Sequence, residues 1–382
     1  MAQFAPDMEP VYLDYNATTP ILPEVLEAML PFLTREFGNP SSSHARGRAA
    51  RAAVETAREE VAALFGVEPD EVVFTSGGTE ATHLAFWGLA TEGTSRRHIV
   101  TTTVEHPATL GPCAALETRG FGVTRVGVTT DGRVEAGAVA QHVDASTLLV
   151  SVMHANNETG AIMPLAEIVA HAHSQGALVH CDAAQSAGKI AVDGLGADLI
   201  SVAGHKLYAP KGVGALILRR SVRITPVFVG GGQERSIRPG TENVASIVGL
   251  GKAAELCRRD LEGRRERLAN LANGLLWRLR AKVPGLELNG PEHERLPNTV
   301  NVSFPGVSGN ALLRQATALM ASTGSACHAD VESPSSVLTA MGLSPERALG
   351  AVRLSVGTLT TESEIECAVD ALLAAYQALR DT

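Results

Sequence analysis

Amines, carboxylates, imidazoles and thiols carry most covalent and proton-transfer chemistry in proteins, and this chain is sparing with the first. Of its 32 basic residues only Lys189, Lys206, Lys211, Lys252 and Lys282 are lysines. Its five cysteines, Cys113, Cys181, Cys257, Cys327 and Cys367, are an odd, scattered set without paired spacing. That fits reduced thiols in a cytoplasmic protein. Four lie in apolar or helical contexts. Cys327 sits instead in the small, polar run Ser322-Thr-Gly-Ser-Ala-Cys-His-Ala-Asp330, which favours an accessible thiol.

The other chemistry-bearing residues follow apolar runs of strand length. After Val72–Thr75 comes Ser76-Gly77-Gly78-Thr79-Glu80, a turn whose free N–H groups and helix dipole suit a phosphate. It is neither a Walker loop nor a dinucleotide GxGxxG. After His98–Thr103 comes His106; after Leu148–Met153 comes His154-Ala-Asn-Asn157; after Ala177–His180 come Cys181, Asp182 and Gln185. After Leu199–Val202 comes Gly204-His205-Lys206. Each has a plain structural use: Thr79 or Asp182 as a cap, His106 as a satisfied loop histidine, Lys206 as a solvated charge. Together, an anion cradle, a flat imidazole, a carboxylate and an amine at strand ends fit pyridoxal phosphate. That cofactor needs a lysine for its aldehyde and a carboxylate to keep its pyridine nitrogen protonated. Zinc is the competing reading, but His180-Cys181-Asp182 and Cys327-His328 are adjacent pairs without CxxC or HExxH spacing. No metal site is expected.

These residues need a scaffold that gathers strand ends. Helical and strand patterns alternate between about residues 45 and 260, which predicts an α/β fold with a mainly parallel sheet between helices. Arg46–Phe65 and Leu165–Ser174 read as helices, and Gly214–Leu218 as a strand joined to Leu199–Val202 without a helix, so that edge can turn antiparallel. From Lys252 one long charged helix is expected to about Arg280, then a strand at Thr299–Phe304, a helix near Asn310–Ala318 and a C-terminal helix from Thr361. The reading assigns residues 16–255 to a large cofactor-binding domain, and residues 1–15 with 256–382 to a smaller α+β domain carrying the Cys327 loop. The 45% hydrophobic and 19% charged composition excludes a disordered chain. A net charge of −9 argues against direct nucleic-acid binding, and neither a signal peptide nor a membrane span is expected.

Longer motifs carry a resemblance to a family. They include Tyr12-Leu-Asp-Tyr-Asn-Ala-Thr-Thr-Pro20, Phe37-Gly-Asn-Pro40, Phe74-Thr-Ser-Gly-Gly-Thr-Glu80, Met153-His-Ala-Asn-Asn-Glu-Thr-Gly160 and Asp182-Ala-Ala-Gln-Ser186. Gly204-His-Lys206, Arg238-Pro-Gly-Thr241, Gly324-Ser-Ala-Cys327 and Val352-Arg-Leu-Ser-Val-Gly357 complete the series. The chain resembles the cysteine desulfurases of the class V aminotransferase group, fold-type I pyridoxal-phosphate enzymes. That resemblance implies conversion of L-cysteine to L-alanine, with sulfur passing to Cys327 as a persulfide and then to an acceptor protein.

By position, it implies that Lys206 binds the cofactor aldehyde and moves protons at the substrate Cα. Asp182 would pair with the ring nitrogen, Gln185 with the ring oxygen, and His106 would stack on the ring. Gly78, Thr79 and His205 would hold the phosphate, with Thr241 of a neighbouring subunit, which implies a homodimer. Arg353, with Asn157 and Asn39, would bind the substrate carboxylate. Ala203 stands where the family often has serine, so phosphate binding should lean more on Thr79, His205 and Thr241. The motifs are also similar to those of selenocysteine lyases, and an inactive scaffold for sulfur-transfer partners is the alternative of another class. The chain stops after its last helix, without the extension that housekeeping iron–sulfur relatives use for scaffold contacts. With its arginine-rich composition, that points to DNA phosphorothioation ahead of iron–sulfur assembly.

Overall fold

The computed structural model describes residues 9–324 and 333–380; Cys327 therefore lies outside the described residues. Twelve strands are present among them: β1 (Val11–Tyr12), β2 (Val72–Thr75), β3 (His98–Thr102), β4 (Gly122–Val126), β5 (Thr147–Met153), β6 (Leu178–Asp182), β7 (Leu199–Ala203), β8 (Gly214–Leu218), β9 (Glu287–Leu288), β10 (Thr299–Ser303), β11 (Leu319–Met320) and β12 (Ala351–Ser355). Seven form one sheet in the order β2-β8-β7-β6-β5-β3-β4. Only β8 runs against the rest, pairing antiparallel with both β2 and β7. The short β7–β8 loop accounts for that direction, as a helix-free connection cannot return the chain to start a parallel strand. The antiparallel strand is not at the edge, however: β2 lies outside it.

The inner strands are buried on both faces and read as continuous apolar runs, as a sheet covered by helices on both sides requires. One face packs against the helices Ala45–Phe65, Leu165–Ser174 and Val244–Arg259 through Val54, Val61, Ile168, Val179 and Leu250. The other packs against Gly78–Ala90 and Pro107–Glu117 through Leu84, Phe86, Ile99, Leu116 and Leu216. A separate apolar core joins Val11 and Leu13 to the helices Leu261–Lys282 and Glu362–Arg380 and the small sheet β12-β10-β9. Val337, Leu338 and Met341, from late in the chain, pack into the first core.

The long helix expected from Lys252 is two helices, Val244–Arg259 and Leu261–Lys282, broken at Asp260 (φ −143°, ψ 54°). The first buries its face in the core beside the large sheet, the second in the smaller core. One straight helix could not do both, and aspartate is a weak helix former where the chain must turn. The edge strand β4 was not expected from sequence, because Gly122-Val-Thr-Arg-Val126, of which only Val126 is fully buried, lacks an apolar run.

Candidate active site

Six parallel strands end on one edge of the large sheet, and the predicted residues follow those ends. Thr79 follows β2, His106 follows β3, Asn157 follows β5, Asp182 closes β6, and His205 and Lys206 follow β7. A cavity of about 330 Å³ gathers Gly78, Thr79, His106, Asn157, Asp182, Gln185, Ala203, His205, Lys206 and Arg353 on its walls, with Asn16 and Ala17. This is where open α/β sheets place ligands.

The Lys206 amine donates to the carbonyl oxygens of Asn16 and Ala17, both at 2.7 Å. Burial, with help from the Arg353 charge, brings its pKa down to about 8. The Asp182 carboxylate accepts the Ala184 N–H at Oδ1 (2.9 Å), and no described residue donates to Oδ2. Burial pushes its carboxyl above the usual range, against that bond and the pull of His106 and Lys206. A cation at the free oxygen would reverse the shift.

His106 caps the helix Pro107–Glu117, its Nδ1 accepting the Ala108 N–H at 3.0 Å. That leaves Nε2 as the protonated nitrogen of a neutral ring. Burial holds its pKa below the usual value, as it does for His205, which falls to about 4. His205 Nδ1 lies 3.1 Å from the Thr18 hydroxyl.

The Gly-rich turn enters the helix Gly78–Ala90 at Gly77 (φ 154°) without a side-chain cap. The N–H groups of Gly78, Thr79 and Glu80 meet no acceptor among the described residues. At Gly214, opposite the turn, a Cβ would lie 2.7 Å from Gly77 Cα and 2.4 Å from the Val202 carbonyl, so glycine is required there. An adjoining groove lined by Ser76, Thr79, His205 and Lys211 extends the anion-binding side.

Arg353 comes from β12 of the small sheet and is buried. Its Nη2 pairs with Asp14 Oδ1 at 2.7 Å, its Nη1 donates to the Asn157 carbonyl at 3.1 Å, and its Nε has no hydrogen-bond partner. Asn39 and Thr241 do not line the cavity; both are exposed, and Asn39 Oδ1 accepts the Ser41 N–H.

Three buried residues escaped the sequence reading. Asn16, 1% exposed, accepts Lys206 and Gln185 at its carbonyl, accepts Lys189 and Asn298 at Oδ1, and donates from Nδ2 to Thr299 Oγ1 and the Asn157 carbonyl. Glu105, beneath the cavity, takes the Thr102 hydroxyl and the Met153 N–H; burial raises its pKa to about 8. Glu158 accepts the Ser335 hydroxyl and packs against Gly324, so it touches both flanks of residues 325–332. The available signals were the positions of Asn16 within the Tyr12–Pro20 motif and of Glu158 within the Met153–Gly160 motif.

The donors and acceptors fit pyridoxal phosphate. The unpartnered N–H groups, Thr79 and His205 would hold its phosphate; Asp182 Oδ2 would meet its ring nitrogen; Lys206 would reach its aldehyde. Among the described residues, no group of three His, Cys, Asp or Glu side chains is placed to hold a metal ion. No described helix is long and apolar enough to cross a membrane.

Residues 11–367 match the family described as aminotransferase class-V. A protein named cysteine desulfurase from Trichormus azollae is 44% identical over 377 residues, covering 98% of this chain and 94% of that protein. A solved structure titled NifS-like protein has a TM-score of 0.90 at 36% identity, covering 98% of this chain and 100% of that one. The crystal structure of DndA from Streptomyces lividans has a TM-score of 0.77 at 40% identity, covering 89% and 97%.

Proposed function

The chain belongs to the class-V aminotransferase family as a pyridoxal-phosphate-dependent cysteine desulfurase, and from that premise we propose how its residues act on L-cysteine. When bound, pyridoxal phosphate supplies an aldehyde for amines and a ring that withdraws electrons from a substrate Cα. With a pKa near 8, Lys206 is partly neutral near pH 7, so its amine can reach that aldehyde or take the Cα proton. Asp182 would keep a proton on the ring nitrogen, and the neutral His106 ring would pack against the cofactor. Arg353 receives the substrate carboxylate, with its free Nε–H and Asn157 nearby, while Asp14 steadies the other side of its guanidinium. Asn39 belongs to the same substrate set on the reading from resemblance.

The Cys327 thiolate then attacks the substrate sulfur. An S–S bond forms as the Cβ–S bond breaks, and the released electron pair stays with the substrate carbon. Protonation there gives alanine and leaves a persulfide on Cys327 for transfer to an acceptor protein. The observation that carries this reading is one cavity shared by an amine of lowered pKa, a carboxylate oxygen without a donor and an arginine with an unpartnered N–H.

The enzyme acts as a homodimer, with Thr241 completing the phosphate site of the partner. Leu26, Leu30 and Leu33 stand exposed on the helix Pro23–Thr34, with Phe37 just beyond it, and Val229 is 98% exposed on the segment before Thr241. Leu26, Leu30 and Leu33, spaced along one face of that helix, make the kind of exposed apolar stripe that a partner surface covers. The likeness to DndA supports DNA phosphorothioation as one destination of the sulfur, and relatives named IscS support iron–sulfur assembly as the other. With a net charge of −9, the chain would pass sulfur to a protein rather than hold DNA. A cytoplasmic enzyme is expected. Incubation with L-cysteine and a thiol reductant should give alanine and sulfide in equal amounts, faster than selenocysteine yields alanine. Negligible turnover of cysteine beside rapid turnover of selenocysteine would reverse the substrate assignment.

A further inference from the structure

Lys189 lies four residues beyond Gln185 and only 6% of it is exposed. Its amine donates to Gln185 Oε1 at 2.7 Å and to Asn16 Oδ1 at 3.3 Å. The charged and titratable groups felt by Lys189 are Lys206, Arg353 and the Cys257 thiol, with no carboxylate among them. An ion pair therefore does not explain why the chain buries a lysine here. The amide of Gln185 does. Its Nε2 donates to the Asn16 carbonyl at 3.0 Å, so an amine on one side and a carbonyl on the other require the same orientation of the side chain. Gln185 lines the cavity, and its second Nε2 proton has no partner among the described residues. Toward a ligand it can offer a donor there, while its oxygen is occupied by Lys189. The same Asn16 carbonyl also accepts Lys206, so the contacts of Lys189 fix an acceptor that two cavity residues share.

We propose that Lys189 is a positioning residue of the cofactor site, locking the Gln185 amide so that its nitrogen faces the ring oxygen of bound pyridoxal phosphate. The inference rests on the reading in which Gln185 meets that oxygen. A donor at that position favours the deprotonated oxygen, so its loss should move the titration of the bound cofactor's visible absorption band to higher pH.

The test titrates that band in the cofactor-loaded wild type, Lys189→Met, Gln185→Met and the double variant, with cofactor occupancy measured in each. Lys189→Met and Gln185→Met should each raise the midpoint by about one pH unit. The double variant should match Gln185→Met alone, because Lys189 acts through the amide. A wild-type midpoint in Lys189→Met, or a double variant whose shift is the sum of the two, overturns the inference. An unmoved midpoint in Gln185→Met overturns the underlying reading of Gln185 instead. If Lys189→Met fails to fold with its orphaned amide oxygen, the smaller truncation Lys189→Ala, whose vacated space can admit an external alkylamine, replaces it. A raised midpoint in Lys189→Ala that the amine brings back supports the proposal, and a wild-type midpoint there, or a double variant that differs from Gln185→Met, contradicts it.

Discussion

Lys206, Asp182, His106 and Thr79 follow the ends of strands in one sheet and meet in one cavity, whereas Asn39 and Thr241 lie on exposed segments outside it. The first group is held by burial and by bonds such as those of Lys206 to Asn16 and Ala17. The second has a specific sequence and does not line that cavity. In the proposed homodimer, one chain would build the cavity wall and a second would complete its rim. Arg238, three residues before Thr241, is nonetheless tied to Glu80 beside the phosphate turn at 2.7 Å. The segment is thus tied to the Gly-rich turn of its own chain, and the Gly240 N–H at its tip donates to Gln233 Oε1.

The largest effect should come from the wall. Lys206→Ala should lose the visible band of the bound cofactor and slow alanine formation by at least ~10²–10⁴-fold. Retention of both would mean that another amine serves. Arg353→Lys should come next, with KM for cysteine raised about 10- to 100-fold and kcat changed less, because a lysine cannot offer a planar fork. An unchanged KM would remove Arg353 from the substrate site.

The rim gives a smaller effect and a sharper test. Thr241→Ala should weaken cofactor binding about tenfold, as loss of one hydrogen bond to a charged group would. At limiting pyridoxal phosphate, mixed dimers of Thr241→Ala with Lys206→Ala should regain one site of wild-type affinity, raising activity above that of either variant alone. No gain on mixing, with subunit exchange verified, would return Thr241 to its own chain.

The smallest effect belongs to the floor of the wall. Glu105 has a pKa near 8 in the fold against an ordinary value near 4.5. A raised acid favours the fold fully below about 4.5 and loses that contribution as pH rises through about 8. Glu105→Gln should therefore flatten the fall of Tm with rising pH across that window. An unaltered slope in cofactor-free protein would show that Glu105 is already ionised in the fold.

Much of the wall was legible because its chemistry is local: each strand end carries its functional residue within a few positions. Asn16 was not, because its partners Gln185, Lys189, Lys206 and Thr299 are distant in sequence and converge only in the fold. Lys189 was passed over for the same reason, since nothing in its flanking residues reports that its amine meets Gln185. The large sheet was readable from its buried runs, while the partly buried β4 offered no such run. The connectivity of β8 revealed its direction but not that β2 would pair outside it. The break at Asp260 reflects two cores pulling on consecutive helices, a competition that periodicity within either helix does not report.

In the proposed reaction, sulfur leaves cysteine for Cys327 while the cavity handles the carbon skeleton. A single turnover with L-cysteine, quenched without reductant and read by peptide mass spectrometry, tests it directly. The account predicts one added sulfur on the Cys327 peptide, in step with alanine formation, and none on peptides carrying Cys113, Cys181, Cys257 or Cys367. Alanine formed at the wild-type rate by Cys327→Ala, with the sulfur on another cysteine or on none, would contradict it.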